Sequence, residues 1–141
     1  MASIYETARQ SGSFNTLCRA LEVTGLSETL QGQGSFTVFA PNDQAFQKLP
    51  QGMVENLLQD IPKLKQLLLY HVIDGEHYAE DVMEEEQLSS MQGERLSIDT
   101  SQGVMISQSH VVESDIEADN GVIHVIDSVM MPEVVARSRS T

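Results

Sequence analysis

The stretch Ser35-Phe36-Thr37-Val38-Phe39-Ala40-Pro41-Asn42-Asp43-Gln44-Ala45-Phe46 constrains the fold of this chain more than any other. β-Branched and aromatic residues alternate through its first half as they do in a buried strand, and Pro41, with no N–H to donate, ends the ladder. Asn42 and Asp43 then offer short side chains that accept from N–H groups at a helix N-terminus, and Ala45, Phe46 and Leu49 recur at helical spacing. A core strand therefore turns sharply into a short helix.

Near the other end of the chain, Asn120-Gly121 precedes the apolar run Val122-Ile123-His124-Val125-Ile126. Asn-Gly is a strong hairpin signal, because both central positions of a type I′ turn need positive φ. The expectation is that residues 111–117 and 122–130 pair as antiparallel strands and that the second closes the sheet.

The first half of the chain reads as helical. Ser3 and Glu6 have capping-box spacing; Ser13 is placed to cap a second helix with Phe14, Leu17, Cys18 and Leu21 on its buried face and Gly25 as its stop. Leu26 to Leu30 reads as one helical turn. Met53, Leu57 and Leu58 mark another helix, and Leu64, Leu67 and Leu68 a further one, with Pro62 in its first turn and Tyr70-His71 at its end. After residue 86 the pattern turns to β, with short strands at 88–91, 95–98 and 104–107. Helices first and strands later predict an α+β domain.

A length of 141 residues with 40% hydrophobic content suits one domain, residues 1–136, followed by a polar tail at 137–141. The lone cysteine, Cys18, rules out an internal disulfide and sits where a thiol is buried and inert. The net charge of −13 repels nucleic acid and anionic lipid alike. No apolar run is long enough to span a bilayer, and the chain opens without the apolar core of a signal peptide, so a soluble protein is expected. Asp74, Glu76, Glu80, Asp81, Glu84, Glu85 and Glu86 form an acidic stretch without a lysine or arginine. A solvated loop is the first reading of it, a site for a cation or a basic partner the second.

Candidate sites are few. Asp115, Glu117 and Asp119 start like a calcium loop, but the required glycine is Asn120 and the bidentate glutamate is Ile126. His71 and His124 lie in apolar runs, where a histidine is more often neutral, buried and hydrogen-bonded than a metal ligand. Neither a nucleophile elbow nor a phosphate-cradling glycine loop is present, so no catalytic residue, metal or cofactor is assigned.

Residues 37–46, the Tyr70-His71 pair and residues 120–127 together resemble the fasciclin domain in content and order, over nearly the whole chain. Asp74, where many members carry proline, and the close Val129-Met130-Met131-Pro132 depart from the family pattern. The resemblance implies a twisted β-sandwich or wedge with helices packed on it, and a non-enzymatic module for adhesion or protein interaction, usually secreted or at a cell surface. Its partner would be a protein, cell-surface or matrix component, a basic one if the acidic stretch engages it. By family position Tyr70, His71, Asp115 and Ile116 are binding residues, while Pro41, Asn42, Asp43, Asn120, Gly121 and His124 are structural. Carotenoid or other apolar-ligand binding in a cleft of the same fold is the alternative, to which seven methionines would be suited. An unrecognised hydrolase comes third.

Overall fold

The computed structural model describes residues 3–31, 35–49, 52–85, 87–101, 104–106 and 109–130. The polar tail and the Met131-Pro132 end of the close Val129-Met130-Met131-Pro132 lie outside these residues. Helices α1 (Ile4–Ser11), α2 (Asn15–Thr24) and α3 (Leu26–Thr29) precede strand β1 (Phe36–Pro41); α4 (Asp43–Gln47), α5 (Met53–Gln59) and α6 (Ile61–Leu69) follow it. Strand β2 (Val72–Asp74) and helix α7 (Ala79–Met83) lead into β3 (Gln87–Ser89), β4 (Arg95–Asp99), β5 (Met105–Ile106), β6 (Ser109–Ala118) and β7 (Gly121–Ile126). The α+β class holds: a mixed seven-stranded sheet in the order β2-β1-β7-β6-β5-β4-β3, with helices packed on it.

The strand of the Ser35–Phe46 stretch and the apolar run after Asn120-Gly121 are neighbours. β1 and β7 run parallel, in register from Phe36 opposite Gly121 to Pro41 opposite Ile126, and every residue of both strands is buried. That is the behaviour of a parallel pair covered on both faces. β7 is therefore central rather than a closing edge, and it ends at Ile126, short of the expected residue 130. Alternation along β1 sends Phe36, Val38 and Ala40 to a core shared with the helices. Phe39 faces a second core with Tyr70, Ile73, Val82, Leu96, Ile106 and Met130. The sheet curls enough that Met91 N–H, just past β3, donates to Val72 O of β2 at 2.8 Å.

Several local expectations change. Ser13 does not cap α2; the Asp43 carboxylate does so from 28 residues away, accepting from Asn15 N–H at 3.3 Å and Thr16 N–H at 2.9 Å. Asn42 meanwhile caps α4, accepting from Ala45 N–H at 2.8 Å. The two adjacent residues thus serve two different helices. At α1, Ser3 Oγ accepts from Glu6 N–H at 3.2 Å, but Glu6 Oε1 takes the serine hydroxyl rather than the backbone N–H that a capping box predicts.

The turn before β7 is not type I′. Its central residues are Asp119 and Asn120, since Ala118 pairs with Gly121, and neither has positive φ. Gly121 is required for a different reason: a Cβ there would stand 1.9 Å from Phe36 O and 2.6 Å from Ile4 Cδ1. Asn120 is a tie point. Its Oδ1 accepts from Ile4 N–H at 2.9 Å, its Nδ2 donates to Leu30 O at 2.7 Å, and its backbone oxygen accepts from Phe36 N–H at 3.0 Å.

Candidate binding surface

Tyr70 and His71 stand where α6 gives way to β2, and both are buried. His71 Nδ1–H donates to Leu67 O at 2.8 Å and Nε2 accepts from Met130 N–H at 2.9 Å. A carbonyl only accepts and an amide only donates, so these partners fix one neutral tautomer. Burial pushes this imidazole down to about 4, against a small upward pull from Leu67 O. Tyr70 Oη points toward Arg95 O at 3.5 Å.

His124, on β7, stacks on Phe39 with ring centroids 5.5 Å apart. Its Nε2–H donates to His77 O at 2.7 Å, and its Nδ1 accepts from Asp115 N–H at 3.2 Å. Burial holds it below the ordinary histidine value, partly offset by the hydrogen bond to His77 and the Asp115 charge. Asp115 Oδ1 lies 3.9 Å from Nδ1. With the ring neutral, both atoms are acceptors and form no ion pair.

Asp115 lies where the register of β6 against β7 shifts. Its Oδ1 accepts from Ala79 N–H at 2.8 Å, and Tyr78 Oη donates to Glu117 Oε1 at 3.2 Å. Thr37, fully buried in β1, donates to Gly75 O and accepts from His77 N–H, each at 2.7 Å. The segment between β2 and α7 is thereby pinned onto β1, β7 and β6. Asp74 at the end of β2, Glu76 in this segment, Glu80 and Asp81 in α7, and Glu84 and Glu85 beyond it are exposed. The pinning sets Tyr78, which also feels the Glu76 charge, and Ala79 beside the exposed Asp115 and Glu117 of β6.

The four residues expected to bind partners thus differ in access. Tyr70 and His71 are enclosed at 7% and 2% exposure, Ile116 is half-buried against the first core, and the Asp115 side chain is 47% exposed. Sequence reasoning missed α7, Tyr78, His77 and Thr37. Thr37 carried a readable signal, because a hydroxyl inside an apolar strand must find a partner. Cys18 is buried, and its thiol is pushed up to about 11. A groove of about 520 Å³ between α2 and α5 is lined by Thr16, Arg19, Val23, Val54, Glu55 and Leu58, among others, a mixed rather than an apolar surface. Among the described residues no helix is long and apolar enough to cross a membrane.

The chain is 42% identical over 131 residues to an uncharacterised protein of Synechocystis, covering 93% of this chain and 98% of that protein. It is 35% identical to pig transforming growth factor-beta-induced protein ig-h3 over 133 residues, which are 94% of this chain but 20% of that protein. Among solved structures, a FAS1 domain pair from the insect cell adhesion molecule Fasciclin I matches with a TM-score of 0.83 at 18% identity, covering 95% of this chain and 52% of that one. With the fasciclin domain signature matched over residues 12–132, the chain belongs to the fasciclin domain family.

Proposed function

We propose that this domain is a non-enzymatic interaction module, working at a cell surface or outside the cell, that recognises a basic protein partner through the face built by the β2–α7 segment and β6. The observation that carries this reading is the docking of Ala79 and Tyr78 on Asp115 and Glu117, which merges two acidic stretches distant in sequence. Relatives that include a cell adhesion molecule agree with such a role. In this reading Asp115 touches the partner. Tyr70, His71 and Ile116 shape the surface from beneath.

The test is capture of partners from the native host by the wild-type domain and by a Glu76→Gln/Asp115→Asn/Glu117→Gln variant. A basic protein should associate with the wild type, more slowly with the variant, and weakly above about 0.15 M salt, where the screening length is roughly 8 Å. A partner whose association rate at low salt is the same for both proteins would refute the acidic-face reading.

A further inference from the structure

Asp115 has φ 59°, the only positive value for a non-glycine among the described residues, and it sits between irregularities in the β6–β7 register. A left-handed conformation is unfavourable for such a residue and persists only when its surroundings hold it there. Two bonds do so: Asp115 N–H to His124 Nδ1, and Ala79 N–H to Asp115 Oδ1. The ring nitrogen used by the first bond is 3.9 Å from the carboxylate oxygen used by the second. A neutral His124 therefore suits the Asp115 amide, and a protonated one suits its carboxylate.

We propose that His124 and Asp115 form a proton-operated latch on the first turn of α7, in which a proton taken up at His124 Nδ1 draws the Asp115 carboxylate off Ala79 N–H and onto the imidazolium. Protonation leaves Nδ1–H facing Asp115 N–H, donor against donor. Asp115 Oδ1 is close by, and a charge-assisted bond to it outweighs the neutral bond it gives up. The movement stays local: Val82 remains in the second core, and Thr37 keeps its bonds to Gly75 and His77.

The groups around the ring set the direction. Enclosure opposes the proton most strongly and the charge that His77, in the segment before α7, carries when protonated adds to this, whereas the bond to His77 O and the Asp115 carboxylate on β6 favour it; the Phe39 ring of β1 bears no charge. The opposing influences prevail, so the latch is closed at neutral pH and opens on acidification. This inference stands whether or not the acidic face binds a basic partner.

Nuclear magnetic resonance of the full chain from about pH 7.5 to about pH 4.5 tests it, following the His124 ring nitrogens together with Ala79 and Phe39 amide exchange. Ala79 protection, corrected for intrinsic exchange, should fall about tenfold with the same midpoint as His124, while Phe39, bonded to His71 O, stays protected. Asp115→Asn tolerates the same backbone and keeps an oxygen for Ala79. In it His124 should titrate at lower pH, with Ala79 still protected where the wild type has opened. Ala79 protection that persists through His124 protonation, loss at an unchanged midpoint in Asp115→Asn, or global unfolding before His124 titrates would each overturn the latch.

Discussion

His71 and His124 are buried to the same degree, at 2% and 1% exposure, and each is a neutral ring with both nitrogens bonded. Their surroundings differ. His71 is clamped between two backbone groups in a sealed junction of α6, β2 and Met130, whereas His124 bridges the interior to a half-exposed segment and has a carboxylate 3.9 Å away. Equal burial therefore gives one ring that is only structural and another with a second bonding arrangement within reach. What separates them is the partner a proton would find, since removal from water disfavours charge on both.

The comparison is sharpest on truncation. His71→Ala leaves Leu67 O and Met130 N–H without partners in the interior and should destabilise by about 4 kcal/mol, whereas His124→Ala, whose partners water can reach, should lose about half of that. Urea unfolding decides; equal losses would erase the distinction. The pH dependence comes next in size. Because the folded state holds His71 near 4 and an unfolded histidine titrates near 6.5, the unfolded chain binds more protons between those values. Stability from His71 is then complete above about pH 6.5 and is lost on descent to about pH 4, by about 3 kcal/mol at roughly 1.4 kcal/mol per pH unit. His71→Gln should flatten that slope, and an unflattened slope would reassign it to other groups.

Smaller effects lie on the His124 side. Asp115→Ala removes the acceptor for Ala79 N–H and puts alanine at φ 59°, so it should destabilise by about 1–2 kcal/mol, and Asp115→Gly by less. A glycine variant weaker than the alanine one would remove backbone conformation from the account. Tyr78→Phe should leave the thermal midpoint unchanged, since its bond to Glu117 lies in water. A clear drop would make that bond part of the framework.

Residue periodicity exposed the stretch from Ser35 to Phe46, the helices before it and the apolar run of β7, because each buries a continuous face. α7 was hidden by its charge: Glu80, Asp81, Glu84 and Glu85 outweighed the single buried residue Val82, so the segment read as a solvated loop. The hairpin was located but its turn was mistyped, since Gly121 is selected by the approach of Phe36 O rather than by a turn conformation. Asp43 next to Asn42 looked like a doubled cap for one helix; only tertiary structure shows that it serves α2. The irregularity at Asp115 has no local signature, because it depends on His124 across the hairpin and on Ala79, 36 residues away.

The bond from Ile4 N–H to Asn120 Oδ1 joins positions 116 residues apart, and Asn120 also holds Leu30 O and Phe36 N–H. β1 likewise lacks its parallel neighbour until residue 126 is available. On a ribosome the amino-terminal helices would leave the exit tunnel with their docking site not yet made, and would wait, apolar faces uncovered, for almost the whole chain. Synthesis at roughly 5–20 residues per second makes that interval about 6–24 seconds long, so the first helices are where a chaperone would find this chain.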